Sequence, residues 1–278
     1  MKVGVAEQVK ELRDMTGAGI MDCKWALSET KGDLEQAKDL LRKKGLAAAG
    51  KRANREAKEG IVFLESNGKK GALVELNCET DFVAKTDDFQ KLGKQILAHV
   101  FEKGESAAQS QETQVQVQEV SGKIGEKVAL RRAVRLETNS GFIASYRHHN
   151  HKIGILIQFE FSKNELSQNE ELLKTVKDIA MQVAALRPQF LKSEEIPSDF
   201  LEREKAIFKE QVKDKPANAQ DKIIEGKLRK RFEEICLLNQ KSVIDNTTSI
   251  SQILEALGKK LGDPITIKHF NRFEIGVE

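Results

Sequence analysis

Aromatic residues are scarce in this chain: 5% of 278 residues, with a single Trp and a single Tyr. Stacking platforms for unpaired bases need several rings in a row, so that mode of nucleic-acid recognition is disfavoured. Cysteine is as sparse. Cys23, Cys78 and Cys236 lie far apart, make no CxxC pair and frame no disulfide scaffold, which points to a reducing interior. No hydrophobic run approaches bilayer-spanning length, and Met1 to Glu7 contains no apolar segment of the secretory kind. The expected location is the cytoplasm, with no membrane contact. A dominant sign of charge is also missing. Against 46 basic residues stand 43 acidic ones, a net of +3, so no whole-molecule field draws the chain to nucleic acid.

Catalytic signatures are missing as well. Gly45-Leu46-Ala47-Ala48-Ala49-Gly50-Lys51-Arg52 nearly spells a P-loop. It lacks the final Ser or Thr that would reach Mg²⁺, and a helical pattern rather than a strand precedes it. Gly17-Ala18-Gly19 opens a GxG but has neither third glycine nor strand, and reads as a turn between helices. There is no HExxH and no GxSxG. His148, His149 and His151 cluster in a loop with no Cys or acid at ligand spacing, so solvated imidazoles are a better reading than a metal centre. The residues imply no enzyme, no metal and no cofactor. A basic stretch with Lys51, Arg52, Arg55 and Lys58 could touch phosphate, as could Arg131-Arg132. Without interleaved aromatics, a solvated linker is the better reading.

What is present is a repeated α+β pattern. The start reads as a three-helix unit over 1–50. Val5, Val9 and Leu12 form one stripe, and Cys23, Ala26 and Leu27 another. Asp33 with Gln36 has capping-box spacing, Leu34, Ala37 and Leu41 follow, and Gly45 is placed to stop the helix. After a linker at 51–59, Ile61–Leu64 and Ala72–Leu76 flank a turn at Asn67-Gly68, a hairpin signal. Phe89, Leu92, Ile96 and Val100 then recur at helical spacing. Ala107–Gln118 is Gln-rich and reads as exposed, and Lys127–Leu136 as a third strand, completing a core subdomain at 60–139. The pattern repeats. Gly141–Tyr146 and Ile153–Phe159 form a second hairpin, and Leu172, Val176, Ile179, Val183 and Leu186 mark a following helix. Two similar subdomains, the second at 140–187 and 231–278, imply a packed pair with a cleft. Between them in sequence, 188–230 reads as two antiparallel helices, a protruding hairpin arm.

One stretch stands at a strand-to-helix corner: Cys78-Glu79-Thr80-Asp81-Phe82-Val83-Ala84-Lys85. Such a corner can hold a short segment rigidly and still expose it. On the residues alone, Phe82 and Val83 are ordinary core residues and Asp81 caps the next turn.

Longer motifs change that reading. Val9-Lys10-Glu11-Leu12-Arg13-Asp14-Met15-Thr16-Gly17-Ala18-Gly19-Ile20-Met21-Asp22-Cys23-Lys24 and Asn77-Cys78-Glu79-Thr80-Asp81-Phe82-Val83-Ala84-Lys85 resemble the two signatures of the bacterial translation elongation factor Ts family. Ile179–Ala185 and Ile224–Leu228 fit the same family, in the same order. The resemblance implies a ubiquitin-associated-like domain at 1–50 and a coiled-coil arm at 188–230. It implies a guanine nucleotide exchange factor whose partner is elongation factor Tu, met on its GTPase domain and an adjacent domain. The chain itself would bind no nucleotide. Thr80, Asp81, Phe82 and Val83 would press on the partner's GTPase domain and displace its Mg²⁺. Met21 and Lys24 match docking positions of the N-terminal domain, and Ile124, Gly125 and His148 match further partner contacts. The arm would reach the partner or support a homodimer. His149-Asn150-His151 stands where relatives have small, glycine-rich residues, and Trp25 replaces a commoner lysine. The end at Ile275–Glu278 lacks a helical module that some members carry. If Thr80–Val83 is a wedge, Phe82 stands more exposed in the free protein than a core phenylalanine would.

Overall fold

The protein, seen in a computed structural model that describes residues 5–277, is α+β. In chain order its elements are helices α1 (Val5–Thr16), α2 (Ile20–Glu29) and α3 (Leu34–Arg52), strands β1 (Glu59–Ser66) and β2 (Lys70–Cys78), and helices α4 (Asp81–Ala84), α5 (Asp87–Lys103) and α6 (Gln111–Ile124). Strands β3 (Val128–Glu137), β4 (Phe142–Arg147) and β5 (Ile153–Glu160) follow. Helices α7 (Glu170–Leu186), α8 (Ser198–Gln211), α9 (Ala217–Ile235) and α10 (Ile250–Leu261) precede the last strand, β6 (Thr266–Glu274). The sheets have the orders β1-β2-β3 and β4-β5-β6. The chain divides into two units. One holds the described residues up to Leu64, Ala72–Arg135 and the end from Glu274; the other holds Glu65–Gly71 and Leu136–Phe273. Residues 1–4 and 278, which bound the expected first and last segments, lie outside the described residues.

In the first unit, β2 is buried at every position from Gly71 to Cys78, the mark of a central strand covered on both faces. That burial includes the carboxylate of Glu75, wholly inaccessible and shared between Arg131 (3.1 Å) and Arg132 (2.6 Å) of β3. A buried charge is tolerable only when paired, so this triad fixes which strand lies beside β2. Helix α5 lays Phe89, Leu92, Ile96 and Val100 on the sheet, as their spacing requires. It starts at Thr86, whose hydroxyl accepts from Phe89 N, and stops at Gly104 with φ 93°.

Helices α1, α2 and α3 enclose Leu12, Cys23, Ala26, Leu27, Ala37 and Leu41. The Asp33 carboxylate accepts from Gln36 N and also from its side-chain amide. Val5 is exposed, so the α1 stripe reaches the core only from Val9 onward. Gly45 does not end α3, which continues to Arg52 through part of the expected linker. The reason lies in α6. The Gln-rich stretch, buried only at Ala107 and Thr113, runs from residue 111 into this helix, which Ser110 caps and which also buries Ser121. There Gly122 sits against the backbone of Gly45, where a Cβ on Gly122 would lie 2.8 Å from Gly45 C and O. Arg42 and Glu119 form an ion pair beside this crossing. Gly45 therefore serves close helix packing rather than termination.

In the second unit β4 and β5 are antiparallel, in register from Phe142↔Phe159 to Arg147↔Gly154. Leu172, Val176, Ile179 and Val183 of α7 pack with Ile155, Ile157 and Phe159, together with Ile250, Leu254 and Leu257 of α10. Leu186, the last position of the expected α7 stripe, is exposed at the helix end. A full capping box, Ser249 with Gln252, starts α10. Helices α8 and α9 pair through Glu204–Arg231 (3.3 Å) and Gln211–Lys227 (2.8 Å). They bury little apolar surface: α8 has no buried residue, and α9 only Leu228 and Ile235.

The Gly45–Gly122 crossing gives an asymmetric expectation. Gly122→Ala forces backbone against backbone and lowers stability by about 1–3 kcal/mol. Gly45→Ala meets Gly122 Cα at an ordinary 3.6 Å and removes a mid-helix glycine, so it is neutral or stabilising by up to about 1 kcal/mol. Urea midpoints of the two variants decide the matter; equal losses would mean that the close approach is not what the glycines serve.

Candidate functional site

Strand β2 ends with Cys78 wholly buried, and the chain then turns at Glu79 and Thr80. Burial, followed by the nearby charges of Glu126 and Glu59, pushes the Cys78 thiol up to about 12. It is a packed sulfur rather than a nucleophile, donating to Thr80 O at 3.1 Å. Thr80 is extended (φ −127°, ψ 154°), and its hydroxyl accepts from Val83 N at 3.4 Å. Thr80, not Asp81, is thus the N-cap of the short helix α4. Asp81 instead lies in the first turn of α4 and pairs with Lys85 Nζ at 2.6 Å. Thr86 closes the far end, donating its hydroxyl to Val83 O at 2.8 Å while capping α5. Gln90 adds a side-chain bond to Ala84 O at 2.8 Å.

This short helix sorts its side chains by face. Val83 and Ala84 are buried with Phe89 and Leu92. Phe82, about 100° around the helix from Val83, is 78% exposed. The expectation of an exposed Phe82 is met, and of the two residues read as core, Phe82 and Val83, only Val83 is one. Lys85 Nζ stands 5.8 Å from the Phe82 ring centroid.

The corner is braced from the segment after α6. Gly125 (φ 85°) ends α6, its N–H donating to Ser121 O. Glu126 then accepts from Thr80 N at 3.1 Å and from the Thr80 hydroxyl at 3.0 and 3.2 Å. In return the Glu79 carboxylate accepts from Lys127 N at 2.6 Å and pairs with Arg55 at 3.3 Å. The bond from Lys127 N, with Arg55 beside it, holds the Glu79 carboxyl below the usual carboxylate range.

Ile124 and Gly125 therefore share the first unit with Thr80–Val83. Ile124 packs on the same core as Val83, and Gly125 is exposed with open space where a Cβ would stand. Met21 and Lys24 stand exposed on α2; Met21 is 75% exposed and Ile20 is also bare. Trp25 lies beside them under Lys44, whose Nζ is 4.3 Å from a ring centroid. His148 belongs to the second unit. Its Nδ1 meets Tyr146 OH at 2.9 Å, and its ring lies 4.2 Å from that of His149. Among the described residues no group of three or more His, Cys, Asp or Glu is placed to hold a metal ion. No helix among them is long and apolar enough to cross a membrane.

The sequence reading missed one feature of the second unit. Val243 and Ile244 are exposed apolar neighbours, Ile244 at 65%, in a loop braced from inside. The buried Gln182 amide accepts from Val243 N at 3.1 Å and donates to Lys241 O at 3.1 Å. Asp245 accepts from Thr247 N and Thr248 N, which with the Thr248 hydroxyl pull its carboxyl down to about 2. The available signal was an apolar pair followed by Asp-Asn-Thr-Thr, a turn-forming run that offers no core for the pair to join.

Comparison with known proteins adds an independent finding. A family model described as Elongation factor TS matches residues 79–277. The Elongation factor Ts of Aquifex aeolicus (strain VF5) is 41% identical over 297 residues, covering 99% of each chain. That of Trichlorobacter lovleyi is 44% identical over 286 residues, covering 98% of this chain and 92% of its own. That of Paramagnetospirillum magneticum is 45% identical over 287 residues, covering 98% and 91%.

The Glu79 bond carries a pH signature. Its folded pKa lies below the unfolded one, so its stabilisation is complete above about pH 4.3 and is lost as pH falls through the folded value. The stability gap between the wild-type protein and Glu79→Gln should shrink between pH 6 and pH 3 in urea titrations. A gap that stayed constant or widened toward acid would contradict the assignment.

Proposed function

The chain belongs to the elongation factor Ts family, and on that premise we propose that it is a guanine nucleotide exchange factor acting on elongation factor Tu bearing GDP. The observation that carries the reading is Phe82, a bare aromatic ring on a short helix fixed at both ends. A soluble protein gains nothing for its own fold by such a residue, and exposed aromatics on braced turns are how docking surfaces obtain their anchors. Thr80–Val83 meets the partner's GTPase domain, with Asp81 and Phe82 as the contacting side chains and Thr80 and Val83 as their mount. Docking displaces the partner's Mg²⁺. Uncovered phosphate charge then weakens GDP binding, GDP leaves, and GTP rebinds.

No bond is made or broken in this cycle, so the chain needs no nucleophile, metal or cofactor of its own and binds no nucleotide. Linkage sets the energetics: a factor that weakens GDP binding is itself bound less tightly when GDP is present, by the same factor. Burying the Phe82 ring is worth about 1.5–3 kcal/mol, roughly ten- to a hundredfold in that coupling. Met21 and Lys24 on α2 give a second docking point, and Ile124 and Gly125 support the first. His148 contributes from the second unit and meets an adjacent domain of the partner. Val243 and Ile244 suit an apolar contact of the same kind. The arm, α8 and α9, reaches the partner or a second copy of the chain. Three free, buried thiols suit a reducing cytoplasm.

Catalytic amounts of the protein should accelerate release of fluorescent GDP from elongation factor Tu. Phe82→Ala should slow that release roughly tenfold or more at limiting factor, with little change in its own unfolding midpoint because the ring packs on no core. An Asp81→Ala, Phe82→Ala double variant that released GDP as fast as the unaltered protein would sink the mechanism.

A further inference from the structure

We infer that Glu126 is a positioning residue for the Phe82 corner, aimed at Thr80 by the backbone reversal at Gly125. The inference rests on the exchange-factor reading and deepens it. Three contacts support it. The Glu126 carboxylate takes both the N–H and the hydroxyl of Thr80, the N-cap from which α4 starts. Charge-assisted bonds of this kind are among the stronger ones a surface can make. The Thr80 hydroxyl then has its proton directed at Glu126, leaving its lone pairs toward Val83 N, so one side chain sets the orientation of the cap. With Val83 anchored inside, the same orientation sets the direction of Phe82.

Glu126 is aimed by what precedes it. Gly125 adopts φ 85°, a conformation an L side chain resists, and this reversal takes the chain from the end of α6 back toward Thr80. Ser121 Oγ fixes the next carbonyl, donating to Glu126 O at 2.7 Å. Ile124 anchors the turn in the core shared with Val83. No atom lies within 4 Å of a Cβ built on Gly125, so sterics place no demand for glycine there; the backbone angle does.

The test uses the full chain. Amide hydrogen exchange in the free protein should show Thr80 losing protection about tenfold in Glu126→Ala and in Gly125→Ala, while Leu92 and Ile96 of α5 keep theirs. Gly125→Asn, which tolerates this backbone angle, should retain most of the protection. Glu126→Gln, which keeps one acceptor, should fall between. Unchanged Thr80 protection in Glu126→Ala would overturn the inference. GDP release from elongation factor Tu supplies the functional arm. Glu126→Ala should slow release about tenfold in the unaltered background and have no further effect in a Phe82→Ala background. A merely structural role would give the same loss in both backgrounds and would overturn the inference. If Phe82→Ala alone left release unchanged, the exchange mechanism would fall, while the amide data would still judge the placement of the corner.

Discussion

Keeping one phenylalanine out of its own core is the constraint on which the first unit turns. Phe82 is followed by Val83 and Ala84, which belong to a core of fifteen buried residues. Left to itself a phenylalanine would join that core, at a gain of about 1.5–3 kcal/mol. It is prevented by geometry rather than by distance. In a helical turn successive side chains diverge by about 100°, so anchoring Val83 inward commits Phe82 outward. That argument works only while the turn remains helical, and four residues are far too few to hold a helix alone. Thr80 at one end and Thr86 at the other therefore act as the two clamps, and the Glu79–Lys127 and Glu126–Thr80 bonds secure the first clamp to a different part of the chain.

The second unit meets a similar need with different chemistry. Val243 and Ile244 are held outward by the neutral amide of Gln182, itself buried on α7. A carboxylate would suit that place badly. Gln182 lies on the inner face of α7, where an ion without a countercharge would be costly. An amide supplies both a donor and an acceptor there, and both are used. At the Phe82 corner the bracing groups are only half buried, so charged acceptors keep some water while gaining strength over neutral ones.

Periodicity made most of the elements legible. The α5 and α7 stripes, both hairpins, the Asp33 cap and the third strand at 128–137 follow from spacing and turn chemistry. Glycine misled at position 45, because sequence alone does not separate a glycine that ends a helix from one that admits a neighbour. Only Gly122, far along the chain, distinguishes the two roles. Composition left the helix at 111–124 unread for a related reason. Helix α6 sets Val117, Val120 and Ile124 against the core and buries Thr113 and Ser121, and most of that stripe lies beyond 118, past the Gln-rich run. The corner itself was legible as a motif, but its bracing was not. Thr80 and Glu126 stand 46 residues apart, and no local pattern announces that a carboxylate will return to cap a turn.

Asp81 and Phe82 are adjacent but differently held, and the proposed mechanism needs that difference. The backbone bearing the ring is clamped, so the insertion proposed for it would cost little backbone entropy. Asp81 is engaged to Lys85, a pair with both members well exposed to water. Such pairs contribute little to stability and separate readily. A carboxylate that must act near a Mg²⁺ site should not meet it bare, since an unscreened acid would attract the ion rather than help to expel it. Paired with Lys85 as in the free protein, Asp81 would approach in the proposed mechanism as a near-neutral unit, and docking of the ring would then redistribute the two charges. On this view the apolar residue supplies the insertion and the ion pair beside it adjusts, a division that follows from one side chain being fixed by its backbone and the other being engaged in a solvent-exposed ion pair.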